Sequence, residues 1–273
     1  MTYHTFQPNR DLDSLIKCYW TLEVQAEFNS EKQRIIPDGC MELIFILGDD
    51  IRRYTSENEF IIQPRAIVVG QITEPFTIQP VGYVHCFATR FYPYGVTNFI
   101  KTPLKDLENK ETPIAEIFGQ TTANELEQQI IHAAGTQQRI EIIETFLLNI
   151  LNEKATIDNI VKTTVDALLA TSGSSPIKSI LKEDLSKRRQ LERKFLKQIG
   201  MSPKQLGKVV RLQTALKLLL NQQTETFTEI AYESEYYDQN HFIKDFKEFT
   251  GIRPKDFLSD EQMILSSLFY AKD

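Results

Sequence analysis

The chain is short of histidine and cysteine and has neither a glycine-rich phosphate loop nor a long apolar run, which narrows what it can be. Its four histidines, His4, His85, His132 and His241, include no close pair, whereas a cupin metal site needs about three with a carboxylate. Cys86 and His85 are adjacent, but neighbours on a strand point to opposite faces, which removes them as a nucleophile and base. Enzymatic readings therefore fail on inventory, and neither cofactor nor metal is expected. Three cysteines, Cys18, Cys40 and Cys86, fit reduced, mostly buried thiols. No apolar run reaches the roughly 18 residues that span a bilayer. Met1 is followed by polar residues rather than a charged and then apolar leader. A cytoplasmic protein without a membrane partner is expected.

What is present divides in two. The length of 273 residues suits two domains. Residues 1–171 carry 14 basic and 23 acidic residues, a balance of −9; Pro176 to Lys217 carries 12 against 3, or +9; Leu218 to Asp273 carries 5 against 11, or −6. To about Lys101, short runs such as CYWTLEVQAEF, CMELIFIL and VHCFATRF alternate apolar and polar residues between Pro, Gly, Asp and Asn, as an antiparallel sheet or barrel would. Helical periodicity takes over from about Pro113, with Ile140, Ile143 and Leu147 marking a helix that joins the halves. The expected organisation is α+β: a β-rich, barrel-like domain over 1–110, a helical linker over 111–155, an all-α domain over 156–258 and a helical tail over 259–273.

The all-α part holds two successive helix-turn-helix units. In the first, Leu191, Phe195 and Ile199 recur at spacing four as one apolar stripe, opposite Arg189, Gln190, Arg193 and Lys197. Gly200 stops the helix, and Ser202-Pro203 caps the next. In the second, Thr226 and Glu229 have capping-box spacing. Asp238 caps another helix, whose stripe is Phe242, Phe246 and Phe249, with Asn240, His241, Lys244 and Lys247 outward. Residues 203–221 read as a largely buried connector of roughly 28 Å. Paired reading helices must sit about 34 Å apart to enter successive major-groove segments.

The stretches LERKF, IGMSPKQL, VVRLQTALKLL and FTEIAYESEYYDQNHFIKDFKEFTGIRPKDF, in that order, closely resemble the DNA-binding domain of the AraC/XylS family of bacterial transcription regulators. IIPDGCMELIFIL, from Ile35 to Leu47, is similar to a subgroup with an N-terminal PDGC motif. The resemblance implies base contacts from Arg189, Glu192 and Arg193 on the first reading helix, and from Gln239, Asn240, His241 and Lys244 on the second. Arg with guanine, and Asn or Gln with adenine, are the geometrically favoured major-groove pairs. Lys187, Arg188, Lys194, Lys197, Lys204, Lys208, Arg211 and Lys247 fall to phosphate contact or solvated charge. The pattern departs at Glu235, where the family has a turn glycine, and at Lys187, where it has a capping serine. Either the turn of the second unit avoids positive φ or Glu235 carries strain.

For the N-terminal domain the resemblance implies a cupin-like barrel that binds a small effector, dimerises, or both. Trp20, Asp38, Cys40, Glu42, His85 and Arg90 are the effector candidates, with Arg90 able to clamp a carboxylate. Against that stand two structural readings: Pro37-Asp38-Gly39 as a turn held by the Asp side chain, and Glu42 with Arg90 as a cross-strand ion pair. The expected function is a sequence-specific DNA-binding regulator reading two major-groove segments. Its partners would be double-stranded DNA, RNA polymerase, a small-molecule effector and a second copy of the chain. The alternative is a partner-binding regulatory module whose acidic second unit no longer reads bases.

Overall fold

The computed structural model describes residues 1–28, 31–151, 157–181, 184–221 and 226–272. The expected boundary at residues 155 and 156 lies outside them. The N-terminal half contains β1 (Thr2–Phe6), β2 (Ile16–Val24), β3 (Gln33–Ile35), β4 (Met41–Ile46), β5 (Ile51–Tyr54), β6 (Phe60–Ile62), β7 (Ala66–Val69), β8 (Phe76–Pro80), β9 (Val84–Phe91) and β10 (Glu111–Pro113). They form two antiparallel sheets, ordered β1-β2-β9-β4-β7-β10 and β3-β8-β5-β6.

The larger sheet is covered on both faces, which is why β2 and β9 are buried at nearly every position rather than at alternate ones. One face presents Trp20, Ile46 and Cys86 to the smaller sheet. The other presents Tyr19, Phe45 and Phe87 to the helices α1 (Ile114–Phe118), α2 (Gln120–His132) and α3 (Thr136–Ile150), which contribute Leu126, Ile130, Ile143 and Leu147 to that core. The segment expected as a helical linker thus opens with a strand paired to β7 and continues as helices packed on the sheet. Their apolar stripes find cover there.

The C-terminal half comprises α4 (Asn159–Ala170), α5 (Ile177–Ile180), α6 (Arg188–Gln198), α7 (Pro203–Leu220), α8 (Phe227–Glu233), α9 (Gln239–Thr250), α10 (Pro254–Phe257) and α11 (Ile264–Lys272). The connector α7 is shared by two cores. Leu206 and Val210 pack with Leu191 and Phe195 of α6. Val209, Leu212, Leu216 and Leu219 pack with Phe242, Phe246 and Phe249 of α9. Fully burying a Phe or Leu side chain is worth about 1.5–3 kcal/mol, several times an exposed ion pair at about 0.3–0.5 kcal/mol. Apolar packing on α7 therefore sets where the two helices point. Among the described residues no helix is long and apolar enough to cross a membrane.

Candidate nucleic-acid interface

Both reading helices keep their apolar stripes inward and their polar side chains outward. On α6, Leu191 and Phe195 are wholly buried, while Arg188, Arg189, Gln190, Glu192, Arg193 and Lys197 are exposed. Arg188 Nε lies 3.2 Å from Glu192 Oε1, one turn on. Such an exposed pair is weak enough for either partner to exchange it for another group. Lys187 stands where the family's capping serine would be, and it makes no side-chain cap. Asp184 ties the turn just before the helix: its carboxylate accepts from the Ser186 backbone and hydroxyl and pairs with Lys187 at 2.9 Å. Those bonds hold its carboxyl below the ordinary carboxylate value, the Ser186 hydroxyl contributing most. Lys194 is half-buried and paired with Asp158.

The second unit is capped as its sequence predicts. Thr226 and Glu229 form a capping box at α8, Asp238 accepts from the His241 backbone at 2.7 Å to start α9, and Gly251 ends α9 in the left-handed region. Asn240, Lys244 and Lys247 are exposed. Gln239 is half-buried and accepts from the Thr228 hydroxyl at 2.9 Å. His241 turns back on its own unit, with Nε2 3.5 Å from Asp245 Oδ2 and its ring edge-on to Tyr236. In the turn, Glu235 has φ +62°, so of the two outcomes open at this position, strain is the one adopted. Two tyrosines flanking the turn, Tyr232 and Tyr237, are 63% and 87% exposed. In the Tyr236-Tyr237 pair one ring is core and the other solvent-facing, a split that the repeated residue type does not reveal.

Three of the basic candidates lie on α7. Lys204, in its first turn, is exposed. Lys208 lies 3.2 Å from the buried Asp245 and 3.1 Å from Glu248, tying the connector to α9. Its ammonium is held above the ordinary lysine value, because the carboxylates outweigh the burial that opposes them. Arg211 donates to the Gly173 carbonyl at 3.1 Å and lies over the Tyr236 ring. Lys208 and Arg211 are thus struts within the helical half.

The six effector candidates do not share one site. Trp20 and Glu42 face a cavity of about 100 Å³ between the sheets, lined otherwise by Ile44, Ile46, Ile67 and Val84 among others. Trp20 Nε1 donates to Glu42 at 2.9 Å, and Arg90 Nε lies 2.6 Å from the same carboxylate. Arg90 also reaches Asp38 at 3.4 Å. Asp38 Oδ1 accepts from the Cys40 backbone at 2.9 Å, which makes Pro37-Asp38-Gly39 the turn its composition suggests. That turn docks on the connector: Gln213 of α7 donates to the Pro37 carbonyl at 2.6 Å. A Cβ on Gly39, whose φ is +78°, would meet Leu206 Cδ1 at 3.0 Å. Asp38, Cys40 and Gln213 border a second cleft of about 210 Å³. His85 lies away from both cavities, 3.8 Å from Glu23, and burial pushes its pKa down. Burial likewise pushes the Cys86 thiol up to about 12, with Glu42 adding to it.

Residues 186–260 match the family described as a helix-turn-helix domain, and residues 4–113 match a domain of unknown function, DUF6597. The C-terminal domain is an AraC-type helix-turn-helix domain. A helix-turn-helix domain of this type behind a DUF6597 domain supports a DNA-binding transcription regulator. Among solved structures, ToxT from Vibrio cholerae (P21 form) is 11% identical with a TM-score of 0.49, covering 95% of this chain and 98% of that one. Unsaturated fatty acid-bound wild-type ToxT from Vibrio cholerae strain SCE256 is 12% identical with a TM-score of 0.45, covering 87% and 93%. No curated protein matches the chain in sequence.

Proposed function

We propose that the protein binds double-stranded DNA through residues 176–258 and reads two successive major-groove segments with α6 and α9. The observation that carries this reading is the disposition of the two helices. Each buries an apolar stripe against the one connector, and each turns amide, guanidinium or ammonium groups to solvent. At about 1.5 Å per residue, the 18 residues of α7 span about 27 Å. The offset of each reading helix from that rod makes up the difference from about 34 Å.

Arg189 and Arg193 on α6, and Asn240 and Lys244 on α9, are the exposed base-contacting candidates, and Glu192 joins them by giving up Arg188. Gln239 and His241 would have to leave Thr228 and Asp245 to join them. Lys187, Arg188, Lys194, Lys197, Lys204 and Lys247 serve as phosphate contacts; Lys208 and Arg211 hold the frame. The N-terminal domain, packed helices included, modulates binding from inside the cell through a small effector in the cavity between the sheets, through a second copy of the chain, or through both. RNA polymerase completes the set of partners.

The test is a hydroxyl-radical footprint on DNA selected from random sequence by the purified protein. Protection of two segments about one helical turn apart is expected. Protection of a single segment, with a shallow dependence of affinity on salt, would favour the second reading, a partner-binding module with a degenerate second unit. That reading draws on the −6 balance after Lys217 and on the occupied state of Lys208 beside Asp245 and Glu248.

A further inference from the structure

The end of the chain is sandwiched between the two functional halves. Around α11, Met263 and Tyr270 belong to the core of the second reading unit, while Leu265, Leu268 and Phe269 belong to the core between the two sheets. At 100° per residue these sets fall on opposite sides of the helix. The Phe269 ring lies 5.6 Å from that of Trp20 and 5.3 Å from that of Tyr3. Leu265 and Phe269 also line the 100 Å³ cavity that Trp20 and Glu42 face.

The contact is fastened along β3, an edge of the smaller sheet. Ser266 donates to the Arg34 carbonyl and Tyr270 to the Ile36 carbonyl, each at 2.6 Å. Gln33 donates to the Glu261 carbonyl at 3.0 Å and accepts from the Leu265 backbone at 3.1 Å. Backbone groups on a sheet edge that would otherwise face water are satisfied by the tail of the DNA-binding half. A surface helix exposes one side; this one has cover on two, as a helix packed between two cores does.

We propose that α11 is a latch: it holds the second reading unit against the barrel by filling the mouth of the space between the sheets, and it gives way when a small, largely apolar effector enters that space. The effector half of this rests on the reading of the N-terminal domain given above. A free volume of about 100 Å³ is less than the roughly 150 Å³ that takes a benzene-sized guest, so a larger molecule must displace Phe269. The walls are aliphatic, and Glu42, Gln63 and Glu111 supply hydrogen-bonding groups. The ligand class is therefore a small neutral molecule with one polar group. Latched, the DNA-reading half is held to residues 1–155, whose 13 basic and 21 acidic residues give a balance of −8, the sign of DNA. Release removes that repulsion, so the latch is autoinhibitory.

The lone tryptophan, Trp20, reports the latch directly. Trp20 emission, its quenching by acrylamide and affinity for a selected duplex are measured on the full chain, on Leu265→Ser/Phe269→Ser and on Ile264→Ser, whose residue is 47% exposed. The double variant should expose Trp20 and gain affinity about fivefold or more, while Ile264→Ser changes neither. In the wild type, millimolar 1-hexanol should move Trp20 emission towards that of the double variant and raise affinity by a similar factor, with no further gain in the variant. Should the double variant unfold, Leu268→Ala carries the same test. Exposed Trp20 with affinity within about twofold of wild type overturns the latch. A gain in the variant with no response of Trp20 to 1-hexanol overturns displacement by an effector, and the effector reading with it, while the latch stands.

Discussion

Glu42 Oε1 lies 2.6 Å from Arg90 Nε, directly opposite it in the β4–β9 pairing. Their side chains are 15% and 4% exposed, so the pair is largely desolvated and neither partner can be removed cheaply. Arg90→Met should cost about 3–5 kcal/mol by leaving a largely buried carboxylate with the Trp20 indole but without its charged partner. Urea unfolding measures this, and a loss below about 1 kcal/mol would mean that the pair is solvated after all.

Lys204 and Lys208 are both on α7 and should behave differently. Lys204→Ala should weaken binding to all DNA sequences alike and leave the unfolding midpoint unchanged. Lys208→Ala strands Asp245, whose side chain is 3% exposed, and should lower stability by about 1–3 kcal/mol. Equal midpoints for the two variants would return Lys208 to the phosphate contacts.

Glu235 sits at φ +62°, a region that costs a non-glycine residue about 1–2 kcal/mol. Glycine removes that strain but adds freedom to the unfolded chain. Glu235→Gly should therefore stabilise by about 0.5–1 kcal/mol in thermal unfolding, whereas Glu235→Ala should be nearly neutral. A destabilised glycine variant would show that the Glu235 side chain has a role the turn does not reveal.

Burial pushes the Glu111 carboxyl above its ordinary value of 4.5, against the pull of Gln63 and Arg53. The folded state therefore holds this proton more tightly than the unfolded chain. Its stabilising contribution is whole below about pH 4.5 and is lost as the pH rises through the elevated folded value. Glu111→Gln, which can still accept from Gln63, should gain stability relative to wild type at pH 7 and not at pH 4. Midpoints in urea at the two pH values decide it; the same difference at both would place the carboxyl in contact with water.

Much of this was legible in the chain. Caps at Ser202, Thr226 and Asp238 and the stripes of α6 and α9 depend on neighbours within a turn or two, and each is where its spacing puts it. The Asp38 turn and the Glu42–Arg90 pair follow from side-chain chemistry and strand register. What spacing could not give was placement across the molecule. The helices after Pro113 cover a sheet rather than bridging two halves. His85 and Cys40 lie apart from Trp20 because strand parity and a turn send them elsewhere. Lys208 reads as a solvated cation until a carboxylate 37 residues on is folded against it. The tail carried one unread signal: Leu265, Leu268 and Phe269 alternate with Met263 and Tyr270 around the helix, so it is apolar on two sides.

Whether both helices read bases is tested most directly by the affinities of Arg193→Ala and Asn240→Ala for a selected site and for random DNA at one salt concentration. Each should lose about 1–3 kcal/mol on the selected site, relax preference at one position, and leave random DNA nearly unaffected. An Asn240→Ala protein that binds the selected site as wild type does, or losses equal on selected and random DNA for both, would contradict two-helix reading.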